Sequence, residues 1–418
     1  MRGAPSHGGA TAPRLVPSDP ARGDARRSQE AGPPVTLPRL LWIPHTPWAH
    51  CQAQRPAFLI DRLSRNFEIH VVTWPARPLR SNSWRYHLDH ANFWRALTTA
   101  SETPGNPYIH QVALPPPILQ KLWPGYPPDW MLAYAQSRFQ PAIKEIAARF
   151  RFQAGVVASS HHFTGYPPHL PGIPLIFDYL DASPARIERT YVNRSHRIVA
   201  VSNHLSDQVR ERYGRPSIVI PNGLDLTRIQ SGDAGRARQR WGLEERRIVS
   251  LIGLTCSPRL YFLDALALLC SEFPDLIFVA AGHGRLETAL RARCARLGIP
   301  AVFTGWLSPQ DAADLFQASS VGLYPGDDTP YFDGAFPLKV LEYTGAGVPV
   351  VANQVAELER VAFPNVMLRP ARANSFAGGI REALLHPPTA FPDLTSYDWD
   401  RIGAAFGHQV EALMAEAT

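Results

Sequence analysis

The segment Phe336-Pro-Leu-Lys-Val-Leu-Glu-Tyr-Thr-Gly-Ala-Gly-Val-Pro-Val-Val-Ala352 carries the clearest structural signal in this 418-residue chain. Its pattern predicts a loop, a helix over about 338–344, a turn at Gly345 and Gly347, and then a buried strand. A helix that leads through a tight glycine turn into an apolar strand is typical of a parallel α/β sheet. The segment therefore places this part of the chain in the α/β class.

Two charged side chains of the predicted helix share one face. Lys339 lies near the helix N-terminus, where the backbone N–H groups and the helix dipole favour an anion, and Glu342 follows three residues later. The lysine could neutralise a phosphate while the carboxylate accepts both hydroxyls of a ribose. An exposed ion pair on an ordinary helix is the alternative, and the Gly-x-Pro-Val-Val sequence that follows favours the functional interpretation.

Strand and helix patterns alternate on both sides of this segment. The second half has predicted strands at 217–220, 248–253, 276–281, 301–304, 321–324 and 348–352. The first half has predicted strands at 39–43, 69–73, 154–158, 175–178 and 198–201. Such alternation predicts doubly wound parallel sheets.

The organisation that follows is two Rossmann-like α/β domains facing a cleft. We expect an acceptor-side domain over 37–214, a nucleotide-sugar-binding domain over 215–385, and a final segment, 386–418, whose helix crosses back to the first domain. Residues 1–36 are rich in Pro, Gly, Arg and Ser without an apolar period, and we expect them to be disordered. The Pro- and Trp-rich segment 75–130 gives no clear pattern.

Composition excludes several classes of protein. Apolar residues make up 45% and charged residues 19% of the chain, and no apolar run approaches the roughly 18–20 residues that span a bilayer. The four cysteines form no C-x-x-C pair and follow no secretory signal, which predicts a reducing, cytoplasmic location. The net charge of +6 comes without Lys/Arg runs, so we expect no nucleic-acid partner. Peripheral contact with the inner face of a membrane stays open.

Five motifs, in this order, resemble those of the retaining GT-B glycosyltransferases, a family-4-like group: Val201-Ser-Asn-His204, Ile220-Pro-Asn-Gly-Leu-Asp225, Ala280-Ala-Gly-His-Gly-Arg-Leu286, Phe303-Thr-Gly-Trp306 and the 336–352 segment. The resemblance covers most of residues 39–410. It implies transfer of a hexosyl group from a nucleoside diphosphate sugar to an acceptor hydroxyl, with retention and without a metal or cofactor. The implied acceptor is a saccharide, a lipid-linked sugar or a natural product.

The resemblance also implies which residues form the donor site. They are Gly253, Arg259, Gly282, Gly284, Thr304, Gly305, Trp306, Pro337, Leu338, Lys339 and Glu342. The glycines would let the backbone turn closely beneath a nucleotide, although plain turn glycines are the alternative. Trp306 and its neighbours would frame the base, unless Trp306 is a core residue at a strand exit. Arg259, Lys339, Glu342 and His161 are the predicted catalytic residues.

Two departures from the family pattern bear on the chemistry. Leu254 occupies the first of two basic positions after the opening strand of the nucleotide domain, and Arg259 falls at the second. Gly334 stands where relatives carry the first acid of a two-glutamate motif, so that acid is absent, displaced to the neighbouring Asp333, or supplied by Asp327 or Asp328. The pair 327–328 is a loop and not a D-x-D motif, so the sequence does not indicate metal dependence.

The first half carries weaker signals. The loop Pro44–His50 has no glycine where relatives have a Gly-rich loop. Gln52-Ala-Gln-Arg-Pro56 and Phe177-Asp-Tyr-Leu-Asp181 resemble a subgroup of bacterial polysaccharide-type transferases, and Arg55 could cap a helix or face the acceptor. His161, preferred over His162, would donate to a sugar hydroxyl or phosphate oxygen, although a surface histidine is the alternative.

Two other functions share this pattern. A sugar-nucleotide 2-epimerase has the same fold. A non-catalytic nucleotide-sugar-binding protein would explain the missing first-domain glycines and Gly334. The sequence does not separate them from a transferase, and it names neither the base, the sugar nor the acceptor.

Overall fold

The structure is a computed structural model, and it describes residues 37–51, 54–74, 100–112, 129–158, 169–254, 256–284, 286–327, 330–334 and 336–417. The strands in these residues form two sheets. The α/β class with two separate sheets, expected from the alternating pattern, is confirmed.

The first sheet has eight strands in the order β3-β4-β2-β1-β5-β6-β7-β8. They are β1 (Arg39–Ile43), β2 (Glu68–Thr73), β3 (Ser101–Thr103), β4 (Tyr108–Gln111), β5 (Ala154–Ala158), β6 (Leu175–Tyr179), β7 (Arg197–Ala200) and β8 (Ile218–Val219). Their neighbours are parallel except at one edge, where β3 runs antiparallel to β4. The carboxyl ends of the parallel strands therefore meet at one edge, where open α/β sheets bind ligands.

The second sheet has six strands in the order β11-β10-β9-β12-β13-β14, all parallel. They are β9 (Arg247–Ile252), β10 (Leu276–Ala281), β11 (Ala301–Gly305), β12 (Val321–Tyr324), β13 (Val350–Asn353) and β14 (Val366–Arg369). The order reverses between β9 and β12. That reversal is the topological switch point at which such sheets leave a crevice.

The strand expected to open the second unit belongs to the first sheet. Ile218 and Val219 pair with Val199 and Ala200 of β7, and the backbone N–H of Ile220 donates to the Ala200 carbonyl at 3.0 Å. The prediction was wrong here because a local sequence pattern does not show which sheet a short strand joins. Strand β7 had an unpaired edge, and β8 pairs with it. The domain limits 37–214 and 215–385 otherwise remain a prediction.

Helices connect and cover the strands of both sheets. In the described residues they are α1 (Arg55–Leu63), α2 (Asp129–Phe150), α3 (Ala185–Arg194), α4 (Asn203–Tyr213), α5 (Leu226–Gln230), α6 (Ala234–Trp241), α7 (Tyr261–Leu269), α8 (Glu287–Leu297), α9 (Pro309–Ala318), α10 (Pro330–Gly334), α11 (Leu338–Gly345), α12 (Ala356–Val361), α13 (Ala373–Leu385) and α14 (Trp399–Glu416). None of these helices combines the length and apolarity required to cross a membrane.

The last helix, α14, packs on the first sheet. Its buried side chains share an apolar cluster with β1, β2 and α1. The Trp399 ring stacks on Phe58 of α1 at 4.7 Å between centroids, and Phe406 lies 5.6 Å from the Trp42 ring of β1. Truncating an aromatic side chain at such a site typically costs about 3–5 kcal/mol, so the helix is an integral part of this core.

The chain crosses between the two sheets twice, and the crossings are hydrogen bonded to each other. The N–H of Leu224 donates to the Tyr397 carbonyl at 2.8 Å, and the N–H of Trp399 donates to the Leu224 carbonyl at 3.3 Å. A Cβ on Gly223 would lie 2.8 Å from both the Tyr397 carbonyl and the Trp399 ring. Only glycine permits this close approach.

Candidate functional site

Three glycines form a bare stretch of backbone at the carboxyl edge of the second sheet. Gly253, Gly282 and Gly305 follow or end β9, β10 and β11, with φ angles of +80°, +114° and +70°. They lie side by side, because the Gly253 N–H donates to the Ala281 carbonyl at 2.9 Å and the Gly282 N–H to the Gly305 carbonyl at 2.8 Å. Residues with a side chain rarely adopt this left-handed backbone conformation, which explains why glycine occupies these positions. Because glycine has no side chain, a ligand can approach the main chain here.

Lys339 lies directly over this glycine floor. A Cβ on Gly253 would come within 3.2 Å of the Lys339 Cε. The Lys339 Nζ donates to Glu342 Oε2 at 2.7 Å, and the two side chains are 34% and 16% exposed. The structure thus brings Lys339, Glu342 and the glycines together, as the sequence predicts, and leaves the ammonium accessible from the crevice.

Tyr343 fixes the helix that carries these charges. Its hydroxyl lies 2.9 Å from both Oγ and the carbonyl oxygen of Ser250 in β9, and it accepts the Ile252 N–H at 3.2 Å. Burial raises the pKa of the Tyr343 hydroxyl, which therefore stays a neutral donor. Helix α11 is tied to β9 immediately before Gly253.

Arg259 lies at the same edge but is already paired. Its Nε donates to Asp327 Oδ1 at 2.7 Å, and the Ser257 Oγ donates to the same oxygen at 2.6 Å. The Arg259 side chain is 54% exposed, and its guanidinium lies 5.7 Å from the Tyr261 ring. Asp327 thus offsets part of the positive charge of Arg259. The sequence did not reveal this pairing, because the two residues follow different strands.

The turn predicted to frame the base presents an exposed indole. Trp306 is 61% exposed, which rules out the alternative of a core tryptophan. Its ring stands edge-on to His283 at 6.1 Å. His283 Nδ1 lies 2.7 Å from Glu287 Oε2, and a Cβ on Gly305 would lie 3.2 Å from His283 Nε2.

His283 was not singled out in the sequence, although its position between Gly282 and Gly284 was available as a signal. A Cβ on Gly284 would lie 3.4 Å from the Leu254 Cβ. Leu254, which occupies the first of the two positions that the family pattern makes basic, therefore packs on this turn. Thr304 precedes the turn, and its Oγ1 donates to the Gly305 carbonyl at 3.1 Å.

Gly334 lies directly against helix α4. A Cβ there would lie 2.7 Å from Leu205 Cδ2 of that helix, and the Ser202 Oγ donates to the Gly334 carbonyl at 2.8 Å. A larger residue at position 334, including the acid that the family resemblance implies, would therefore require the Leu205 side chain to shift.

Pro337 and Leu338 form the entrance to α11. Pro337 is the N-cap residue and has no side-chain capping bond. Leu338 packs against the apolar cluster of the first sheet. The first turn of α11, which carries Lys339, is thus packed against the apolar cluster that α14 and the first sheet share.

The predicted catalytic His161, with its neighbour His162, lies outside the described residues. Most of the segment 75–130 also lies outside them. In the parts of the chain that are described, no group of three or more His, Cys, Asp or Glu side chains is arranged to hold a metal ion.

Two family models match consecutive parts of the chain. Residues 57–228 match Glycosyltransferase Family 4, and residues 256–386 match Glycosyl transferases group 1. The first match covers much of the first sheet. The second covers β10 to β14 and the whole of the 336–352 segment.

A curated relative is the GDP-mannose-dependent alpha-(1-6)-phosphatidylinositol dimannoside mannosyltransferase of Mycobacterium tuberculosis, 29% identical over 149 residues. The similar region covers 35% of this chain and 37% of the relative. The chain therefore matches little more than a third of that protein's length.

Solved structures share the fold over nearly the whole chain. Sucrose-phosphate synthase from Thermosynechococcus elongatus superposes with a TM-score of 0.65 at 16% identity, covering 91% of this chain and 100% of its own. HepE from Anabaena, in complex with UDP, superposes with a TM-score of 0.56 at 15% identity, covering 91% and 98%. With both family models matching in order on this fold, the chain belongs to the family-4-like, group 1 glycosyltransferases of the GT-B class.

Proposed function

We propose that this protein transfers a sugar from a nucleoside diphosphate sugar to an acceptor hydroxyl. Lys339, lying over Gly253 at the switch point of the second sheet, is the observation that carries the proposal. A diphosphate needs a place where it can approach the main chain closely and a cation that it can reach. The glycine floor, whose Gly253 and Gly282 N–H groups are bonded within the sheet, supplies the first, and the Lys339 ammonium supplies the second.

Glu342 gives the site its second recognition element. The Lys339 ammonium donates to Oε2 of the Glu342 carboxylate, and this contact restrains the orientation of the carboxylate. A carboxylate can accept from two adjacent hydroxyls, so Glu342 would hold the ribose while its lysine partner faces the phosphates. The ribose and the diphosphate would then be bound by two residues of α11 that lie one helical turn apart.

The chemistry requires stabilisation of the leaving group. Charge develops on the diphosphate as the bond to the sugar breaks, and preorganised cations and N–H groups at that position lower the barrier. Lys339 is the main candidate for stabilising this charge. Arg259 would also contribute if a phosphate displaces Asp327 from its guanidinium. The acceptor oxygen would bond to the anomeric carbon on the face from which the diphosphate departs, which retains the configuration, and the leaving phosphate can itself take the hydroxyl proton. The step then needs no separate protein base, and Lys339 with Arg259 would stabilise the leaving-group charge in place of a metal.

The acceptor would approach from the first half of the chain. His161 remains the proposed donor to a sugar hydroxyl or phosphate oxygen there. The mycobacterial relative is named for a phosphatidylinositol dimannoside acceptor and GDP-mannose, and HepE was solved with UDP. We therefore propose a saccharide or lipid-linked acceptor, with the base unassigned, in a cytoplasmic protein that can contact a membrane peripherally.

Nucleoside diphosphate release tests the proposal. UDP-, GDP- and dTDP-sugars are incubated with and without glycan and lipid-linked acceptors, in the presence of EDTA, and products are identified by mass spectrometry. Transfer to an acceptor with EDTA present is the expected result. A 2-epimeric sugar, free or still bound to the nucleotide, without a transfer product would indicate an epimerase. Nucleotide binding with no turnover of any donor would indicate a non-catalytic binder.

A further inference from the structure

Arg55, the first residue of α1, is a buried charge. Its side chain is 3% exposed, and its partner Asp178 in β6 has no exposed surface. The Nε and Nη2 atoms lie 3.1–3.2 Å from the Asp178 carboxylate. Burying two charges costs several kcal/mol of desolvation that their attraction only partly offsets. A contribution to stability is therefore a poor explanation for this pair, and a positional role is a better one.

The remaining guanidinium nitrogen reaches the segment that leaves the first sheet. Arg55 Nη1 donates to the Pro221 carbonyl at 2.7 Å. Pro221 directly follows Ile220, which is still bonded to β7, and precedes Leu224, which is bonded to the return crossing. Arg55 thus holds the outgoing crossing at its first residue beyond the sheet.

The next residue passes this restraint to the donor helix. The Asn222 Nδ2 donates to the Phe336 carbonyl at 2.7 Å. Phe336 precedes the N-cap residue of α11, and its ring stacks on Tyr397 of the return crossing at 5.6 Å. Two consecutive hydrogen bonds therefore connect Arg55 in the first half to the start of the helix that carries Lys339.

We propose that Arg55 and Asn222 are positioning residues that fix the first turn of α11, and with it Lys339, relative to the first half. Neither residue is among those proposed above to bind the donor. Nucleotide affinity comes from the second half alone, while the two hydrogen bonds set where the leaving group stands with respect to the acceptor side. The inference rests on the proposed transferase function.

Two variants separate positioning from binding. Arg55→Lys keeps a charge beside Asp178 but replaces three guanidinium nitrogens, which reach Asp178 and Pro221 separately, by a single ammonium nitrogen. Asn222→Ala removes the bond to Phe336. We expect each to lower kcat by about tenfold or more while the Kd for UDP or GDP changes by less than about threefold. Hydrogen exchange of the 336–345 amides should also be faster in Arg55→Lys, although the substitution is in the other half.

Arg360→Ala is the matched control. Arg360 pairs with Asp207 of helix α4 at 2.6 Å, and the two side chains are 53% and 30% exposed. This ion pair joins the same two halves but does not contact the start of α11. We expect kcat and exchange at 336–345 to stay within about twofold of the wild type, as for most exposed ion pairs.

The double variant and the failure cases complete the test. If both residues act along one path, their effects on kcat should not multiply. The kcat of the double variant Arg55→Lys with Asn222→Ala should be no more than about twofold below that of the slower single variant. Unchanged kcat in the folded single variants would overturn the proposal, as would a Kd that weakens in parallel with kcat. Should Arg55→Lys not fold, Asn222→Ala decides alone. An inactive wild type would reject the transferase function, and exchange at 336–345 would still decide the positioning.

Discussion

Replacing Lys339 with methionine separates the two interpretations of the Lys339–Glu342 pair. Methionine keeps an unbranched apolar chain over Gly253 and removes only the ammonium. If the pair only stabilises the fold, its loss should lower the free energy of unfolding. If Lys339 is a phosphate ligand, its loss should raise the Kd for a nucleoside diphosphate.

The structure sets the size of each effect. The two side chains are 34% and 16% exposed, and ion pairs with this access to water contribute about 0–1 kcal/mol. Lys339→Met should therefore lower the free energy of unfolding by less than about 1 kcal/mol. A hydrogen bond from an ammonium to a phosphate contributes about 1.5–3 kcal/mol, so the Kd for a nucleoside diphosphate should rise by about 10- to 150-fold.

Titration calorimetry against UDP, GDP and dTDP, and against the matching nucleosides, measures the difference. The nucleosides lack the diphosphate charge and should bind Lys339→Met almost as they bind the wild type. Lys144→Met, which changes an exposed lysine of helix α2, is the control for loss of charge alone. Equal losses for nucleoside and diphosphate, or a diphosphate Kd within twofold of the wild type in a folded variant, would refute the assignment.

Three further predictions concern the same helix and the remote edge of the first sheet. Glu342→Ala should cost about 2–4 kcal/mol in kcat/KM and, unlike Lys339→Met, weaken nucleoside and nucleoside diphosphate equally in calorimetry; unaltered nucleoside affinity would argue against a ribose contact. Tyr343→Phe should destabilise the fold by about 1–3 kcal/mol in urea unfolding, because it leaves the buried Ile252 N–H without its partner; an unshifted midpoint would contradict this. Burial lowers the pKa of His70 and of His110, which lie 2.9 Å apart, below the ordinary 6.5. The unfolded chain then binds more protons, so the free energy of unfolding should fall as pH drops below about 6.5, and a flat profile between pH 7.5 and 5.5 would rule this out.

Elements with a strong local signal could be predicted from the sequence. The apolar run Leu276–Ala281 was placed without error, since β10 is buried on both faces and every residue in it is apolar. Val366–Arg369 was missed, because β14 is only four residues long and half-buried throughout. The helix face that carries Lys339 and Glu342 was also accessible, since spacing within a helix is a local property.

Contacts between distant residues could not be predicted in the same way. Arg55 and Asp178 are 123 positions apart, and although each lies in a motif noted from the sequence, neither motif indicates that the two side chains pair. Gly334 was identified as a departure, but its contact with Leu205, on a helix of the other half, could not be seen in the sequence. Patterns with a period of two or four residues carry no information about such partners, which depend on how the sheets and helices finally pack.

The docking of α14 on the first sheet has a consequence for how the chain folds during synthesis. Arg62 in α1 bonds Asp400 in α14 across 338 positions, so the core beneath the first sheet is not complete until the ribosome has passed α14. All strands of the second sheet lie between Arg247 and Arg369, and they can pair before that point. Because non-local contacts form late, the half that is synthesised first should be the last to reach its native core.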